Sequence, residues 1–467
     1  MQHRSFWLSE TLGDAPDEPS LHGAARADVA IVGGGLVGLW TAIRIKERDP
    51  ACDVVVLEQD ICGGGASGRN GGEVLSWWAK AGKLVDLCGR EEGVRIAQAS
   101  VDAIGELEAF CTAHGIDAEF HRGGYLWTAT TAAQLGAWDS TVELLRELGA
   151  PALELLEPEE VARRTGSPVH LAGVLDPSAA TVQPAKLTRG LRRVALELGV
   201  RIHEHTRVTH LDRRSPAVLR TPAGAVSADR VVLATNAWAA SLRELHTRLV
   251  VITSDIILTE EAPERLAEIG WTGYEAISDS QVMIHYYRRT PQGRVMFGKG
   301  GWGIALAGRL PASFDRHEGR ARDVEANFRR IYPNLAGVRV EYDWCGPIDR
   351  SYHGLPIFGR LGGHEHLIYG VGWSGNGVGP SLLGGRILAS LALAERDEWS
   401  TSPFVGERAG RFPPDPVRYT GAHVVRSAVV RMERAYAAGR DPRPWDTFLA
   451  GFAPAGIIPK TTRRADG

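Results

Sequence analysis

Gly33, Gly35 and Gly38 stand as GxGxxG directly after the apolar run Val29 to Val32, and Glu58 closes the next apolar run twenty residues past Gly38. Each type has a mechanical reason at its place. Gly33 makes a tight turn, Gly35 lets a pyrophosphate approach the backbone, and Gly38 lets helix and strand pack closely. Leu36 and Val37 then fall in the first turn of a helix, whose free N–H groups and partial positive charge favour phosphate. Glu58 is placed to accept from the ribose hydroxyls of an adenosine. The pattern implies an adenine dinucleotide and does not by itself separate FAD from NAD.

Two further segments carry an unusual density of glycine. Gly63 to Gly72 reads GGGASGRNGG, six glycines in ten positions, with Ser67, Arg69 and Asn70 between them. Such a backbone can pass close to a large bound group, although an ordinary surface turn shares the composition. The second segment is GVGWSGNGVG, residues 370–379. There Gly375, Asn376 and Gly377 are expected to open a helix reaching about Ala394, the alternative being a plain strand-to-helix turn in the core.

The elements that must hold these residues follow from hydrophobic period. ADVAIVGGGLVGLWTAIRIKERDPACDVVVLEQD reads as strand, turn, helix, strand. Helical spacing returns over 91–114, 132–149, 187–198 and 320–332, and near 421–438. FHRGGYLWTATT reads as a strand, VRIHEHTRVTHL as two short strands, and a hairpin leads into ADRVVLATNAW. VVITSDIILTE, QVMIHYYRR and GRVMFGKGG predict a mostly antiparallel sheet.

Length and charge bound the rest. A chain of 467 residues with 44% hydrophobic and 23% charged residues is expected to fold into two or three domains. A net charge of -3 leaves no electrostatic footprint for nucleic acid, and the arginines between Arg189 and Arg214 are read as a solvated helix face. Five cysteines without a CxxC pair imply no structural metal and a reduced, cytoplasmic setting. No secretory signal or membrane segment is read, and a homo-oligomer is compatible with the sequence.

ASGRNGG behind a dinucleotide fingerprint resembles the glycine oxidase and D-amino acid oxidase superfamily of FAD proteins. The likeness is greatest to the amine-oxidising branch that includes gamma-glutamylputrescine oxidase. VQPAKLTRGLRRVALELGVRI, ADRVVLATNAW, WCGPI, LPIFGR and GVGWSGNGVG continue the likeness in order, over most of residues 27–395. The resemblance implies an α/β fold: a Rossmann-like FAD-binding domain of glutathione reductase type with an inserted, mostly antiparallel sheet substrate domain. Expected bounds are 1–26 for an N-terminal arm, 27–90 + 151–240 + 336–400 for the FAD-binding domain, 91–150 + 241–335 for the substrate domain, and 401–467 for a C-terminal extension. It also implies FAD contacts at Gly33, Gly35, Leu36, Val37, Gly38 and Glu58, then at Gly65, Ala66, Ser67, Arg69, Asn70, Gly71 and Gly72. Val208, Ala234, Thr235, Gly346, Gly372, Gly375, Asn376, Gly377 and Val378 complete the set.

Two departures bear on the substrate. Amino-acid oxidases of the superfamily carry GxRPxTxD after a Trp-x-Gly element, the arginine gripping a carboxylate. Aligned on Trp344 and Gly346, this chain has Ile348 at that arginine and His353 at the aspartate, which favours an amine; a slip in register would bring Arg350 into the role. Cys345 lies one position from the flavin-linking cysteine of sarcosine oxidases, so noncovalent FAD is expected. Candidate catalytic residues are Lys299, His353 and Tyr286. Candidate substrate-binding residues are Glu73, Trp77 and Trp78 as an acidic aromatic wall for an ammonium group, with Tyr287, Arg288, Ile348, Arg350 and Trp373. The implied function is oxidation of a C–N bond of a primary or secondary amine, with O2 or another acceptor regenerating FAD. Rival readings are a glycine or D-amino acid type oxidase or dehydrogenase, a flavin-binding protein without amine chemistry, and an NAD-linked dehydrogenase.

Overall fold

The computed structural model describes residues 3–13, 17–406 and 410–454. Among them the β-branched run of the opening strand Gly23–Val32 lies at the centre of the first sheet, where a continuous apolar strand must be covered on both faces. Its parallel neighbours are Gly224–Leu233 on one side and Val54–Leu57 on the other. Leu367–Val371 and Arg201–His203 extend the sheet in parallel, while Ile357–Arg360 closes one edge antiparallel. The helix Leu36–Arg48 lies on one face beside the helix Ser381–Ala392. Gly385 sets their approach: a Cβ there would stand 2.5 Å from Cβ of Trp40.

The second sheet has eight strands, ordered Val340–Ser351, Leu249–Thr259, Val295–Ile304, His285–Arg289, Ala276–Ser278, Tyr125–Ala129, Ala172–Asp176 and Glu154–Leu156. All its pairs are antiparallel except Ala276–Ser278 with Tyr125–Ala129.

Sheet membership divides the chain differently from the expected bounds. Residues 340–351, 172–176 and 154–156 pair within the second sheet and not the nucleotide-binding one. The helix Arg90–Ala113 buries Ile96, Ile104 and Leu107 in the core shared with the helix Leu36–Arg48, on the nucleotide-binding side. The first strand begins at Gly23, inside the expected arm. Hydrophobic period reports a buried face without naming its neighbour, so elements that cross between layers are assigned to the wrong one.

The solvated-face reading of the arginines also fails in part. Arg189 and Arg192 pair with fully buried Glu204, which accepts the Cys62 N–H at the entrance to the glycine-rich loop.

Replacing Gly385 by Val drives a branched side chain into Trp40. Gly385→Val is expected to cost about 1–3 kcal/mol by overpacking, measured as a lowered midpoint in equilibrium denaturation; an unchanged midpoint would contradict this helix contact.

Candidate active site

At the carboxyl ends of the first sheet the chain turns at Gly33, whose φ is +113° and whose missing Cβ would lie 2.5 Å from the Ala234 carbonyl oxygen. Only glycine fits such a turn. The Leu36 N–H at the start of the following helix donates to Ser67 Oγ at 2.9 Å, which fixes the glycine-rich loop across the helix N-terminus. Glu58 is half-buried at the end of the neighbouring strand and accepts from the N–H groups of Gly34 and Asp60. Burial pushes its pKa up against the pull of those bonds.

A cavity of about 1420 Å³ runs from this point to the second sheet. Its first stretch is lined by Gly33, Gly35, Leu36, Val37, Glu58, Val208, Ala234 and Thr235, and the next by Gly65, Ala66, Ser67, Arg69, Asn70 and Gly71. Gly346, Trp373, Gly375, Gly377 and Val378 line it further on. Four expected contacts lie outside this lining and act as scaffold. A Cβ on Gly38 would meet the Gly33 carbonyl oxygen at 1.9 Å, and one on Gly72 the Val182 carbonyl oxygen at 2.0 Å. The Gly372 N–H donates to Asp349, and Asn376 Nδ2 donates to the Ser76 carbonyl at 3.2 Å.

The capping segment is not the start of a helix. Ser374 and Gly375 both have positive φ, and the helix begins at Ser381. Gly375 to Gly377 therefore form a loop, and no helix N-terminus is presented at those residues.

The loop 63–72 is held from outside by the arm and the second sheet. Ser5 Oγ donates to the Gly68 carbonyl, and Trp7 Nε1 donates to that of Asn70 at 3.0 Å. Arg69 is almost fully buried; its Nε donates to the Gly64 carbonyl and its Nη1 to that of Cys345 at 3.1 Å. Trp344 Nε1 donates to the Arg69 carbonyl.

The far end of the cavity lies against the second sheet. Tyr286, Ser254, Ile284, Ile252, Ile348 and Arg350 line it together with Glu73, His353 and Trp373. Tyr286 Oη and Ser254 Oγ stand 2.6 Å apart in a hydrogen bond. Glu73 Oε1 is buried without a hydrogen-bond partner, and burial pushes the carboxyl pKa up to about 8, Arg288 pulling it the other way. Arg350 makes no ion pair among the described residues; its Nε is buried unpartnered, and burial lowers its pKa to about 10. Lys80, hydrogen-bonded to the Gly354 carbonyl, is lowered to about 7 by burial and by the nearby charge of Arg350. His353 accepts the Leu355 N–H at Nδ1, and burial with Lys80 and Lys83 nearby lowers it to about 4. It is neutral at pH 7, with its proton on Nε2.

Five sequence candidates do not reach the cavity. Lys299 is in register with His285 on the strand His285–Arg289, and so faces away from Tyr286, which lines the cavity. Its Nζ bonds His285 Nε2 at 2.9 Å and pairs with Glu433 at 3.5 Å. Tyr287 points the same way as Lys299, with its hydroxyl 2.5 Å from His170 Nε2. Arg288 shares the Tyr286 face, but its guanidinium is used up on the Gly71 and Val182 carbonyls. Trp77 and Trp78 are core residues, Trp77 edge-on to Phe404. The Cys345 thiol lies against Arg320 and Ser313, outside the cavity lining, and burial raises its pKa to about 12.

Sequence reasoning missed Asp349. Its buried carboxylate accepts from the Gly372 N–H at 2.6 Å, the Trp373 N–H at 3.0 Å and Asn236 Nδ2 at 3.3 Å, and burial pushes its pKa up to about 7. It lies between Ile348 and Arg350, both singled out, yet nothing in its residue type marks it. The residues of the C-terminal helix Val417–Ala437 that line the cavity were missed as well.

Residues 28–391 match the DAO family, described as FAD dependent oxidoreductase. The chain belongs to this family of flavoproteins. It is similar to gamma-glutamylputrescine oxidoreductase of Escherichia coli, 28% identical over 421 residues, which span 88% of this chain and 96% of the relative. Glycine oxidase of Pseudomonas putida is 27% identical over 365 residues, 75% of this chain and 90% of the relative. Among solved structures, glycine oxidase from Geobacillus kaustophilus shares the fold with a TM-score of 0.67 at 22% identity, covering 83% of this chain and 99% of that one. The dinucleotide of this DAO-family chain is FAD. The glycine turn, the Glu58 carboxylate and the cavity of about 1420 Å³ that they line fit this group. No helix of the described residues is long and apolar enough to cross a membrane.

A carboxyl whose pKa is higher in the folded than in the unfolded chain binds more protons when folded, so its contribution to stability falls as pH rises between the two values. For Glu73 that window runs from 4.5 to about 8. Glu73→Gln is expected to exceed the parent in stability by about 1–3 kcal/mol at pH 8, with the gap closing towards pH 4.5, as measured by urea denaturation of the FAD-loaded protein. A gap that stays constant with pH would show that Glu73 titrates normally.

Proposed function

We propose that this chain oxidises a carbon–nitrogen bond of a primary or secondary amine. Bound FAD supplies the hydride acceptor at N5 and, with O2 as electron acceptor, yields H2O2. The observation that carries the reading is Glu73: a carboxyl with a buried, unpartnered oxygen in a chamber where Ile252, Ile284, Ile348, Tyr286 and Trp373 stand beside Ser254, His353 and Arg350.

An amine arrives as ammonium and must lose a proton before its α C–H can leave as hydride. The Glu73 carboxylate, ionised in a growing fraction as pH rises towards about 8, attracts the ammonium and takes that proton. The apolar walls keep water from the reacting carbon, and the Ser254–Tyr286 hydrogen bond holds the ring that bounds the chamber. Loss of hydride from the α carbon leaves an iminium, which water hydrolyses to a carbonyl compound and the released amine or ammonium.

Arg350 favours a second reading. Its cavity-lining guanidinium without an ion pair is suited to a substrate carboxylate, as a glycine or D-amino acid type oxidase would require. Ile348 lines the cavity at the position where the superfamily places its arginine, so a clamp at Arg350 would sit two residues further along the strand.

Absorbance of the FAD-loaded protein, followed anaerobically while alkylamines, polyamines, glycine and D-amino acids are added in turn, tests both. Bleaching of the oxidised flavin band by amines lacking an α-carboxylate is expected. Bleaching by α-amino acids alone would transfer the assignment to the Arg350 reading. A band that none of them bleaches would leave a flavin-binding protein without amine chemistry.

A further inference from the structure

The match to the family ends at residue 391, and the glycine oxidase structure is covered over 99% of its length while spanning 83% of this chain. The residues beyond 391 include the helix Val417–Ala437, which is tied to the body at both ends. Near its start Arg418 donates to the backbone carbonyls of His246 and Leu249 and pairs with Asp415. Near its end Glu433 is buried, accepts the Met283 N–H at 2.7 Å and pairs with Lys299. Between these anchors Ala422, Val425, Arg426 and Val429 recur at helical spacing and line the cavity.

Arg426 stands apart in this stripe. Its Nη1 donates to the Trp302 carbonyl at 2.6 Å, and its Nε is buried without a partner. It makes no ion pair among the described residues, and burial lowers its pKa. A guanidinium on a cavity wall with donors left over calls for an anion. Arg350 lies on the strand Val340–Ser351, whereas Arg426 is bonded to the strand Val295–Ile304; the strand Leu249–Thr259 runs between them. Two strand spacings are about 10 Å, so the two cations address different parts of a bound molecule.

We propose that the C-terminal extension is the substrate-selecting wall of this oxidoreductase, with Arg426 binding a carboxylate at the end of the substrate remote from the reacting amine. The substrate class is an amine carrying a distal anionic group. The inference rests on the amine-oxidising reading above. It goes beyond it in assigning specificity to residues outside the family match.

The test compares 5-aminopentanoate with pentylamine, amines of equal chain length with and without the distal carboxylate, in the FAD-loaded parent, Arg426→Gln, Arg426→Lys and Arg350→Gln. Arg426→Gln is expected to raise KM for 5-aminopentanoate about 10- to 100-fold, leaving kcat for both substrates and KM for pentylamine within about twofold. Arg426→Lys should restore part of the loss. Pentanoate, followed through the oxidised flavin spectrum without turnover, should bind Arg426→Gln more weakly by a similar factor. Equal effects on both substrates, no effect, or a selective loss in Arg350→Gln instead would overturn the assignment of Arg426. If neither substrate nor any other amine reduces the flavin in the parent, the amine-oxidising reading falls and this inference with it.

Discussion

The carboxylate of Asp349 joins the two halves of the molecule. It stands in a strand of the second sheet and accepts N–H groups from the loop that leaves the first sheet at Val371, while Asn236 reaches it from the end of another first-sheet strand. Burying a carboxylate is costly unless donors converge on it, and here backbone donors do so at the point where the cavity passes from one sheet to the other. The Trp373 backbone is thereby tied to the strand that carries Ile348 and Arg350. The Asp349 tie joins those of Arg69, Trp344 and Arg288 between the glycine-rich loop and the second sheet.

A second set of constraints works from outside. The loop 63–72 has little regular structure of its own, so Ser5, Trp7, Arg288 and Trp344 take up its carbonyl groups. Arg288 spends its guanidinium on backbone carbonyls, and Arg69 spends its own on backbone carbonyls and an ion pair with Asp315, which is why neither is free for substrate. Among the described residues, Arg350 and Arg426 line the cavity with a buried Nε that has no partner. Selectivity in the chamber then depends on these two guanidinium groups set against Glu73.

The nucleotide end was legible because its demands are local. A turn that leaves no room for a side chain at Gly33 must be glycine, and an acid closing the next strand falls beside it whatever the rest of the chain does. The second-sheet strands between 249 and 304 were legible from alternating and β-branched runs, whereas 340–351, 172–176 and 154–156 were not. What alternation withholds is which of two faces meets the cavity. Lys299 and Tyr287 therefore looked as available as Tyr286, and only the register of His285 with Lys299 separates them. Trp77 and Trp78 followed a loop that lines the cavity yet turned into the core, since a large aromatic serves packing as readily as recognition. The later start of the helix Ser381–Ala392 reflects positive φ at Ser374 and Gly375, for which a serine gives no warning. Asp349, Arg426 and the domain-crossing strand Val340–Ser351 depend on contacts with other elements of the chain, 23 to 124 residues away for the two side chains, and no local pattern encodes them.

The central claim is that one continuous cavity seats the dinucleotide along the glycine turn and the substrate against the second sheet. A crystal structure of the FAD-loaded protein soaked with pentanoate tests it most directly. The account predicts the adenosine ribose at Glu58, the pyrophosphate over Gly35 and Ser67, and the flavin ring between Trp373 and the sheet residues Tyr286 and Ile348. A flavin ring directed to solvent, or an adenosine placed away from Glu58 and Val208, would contradict it.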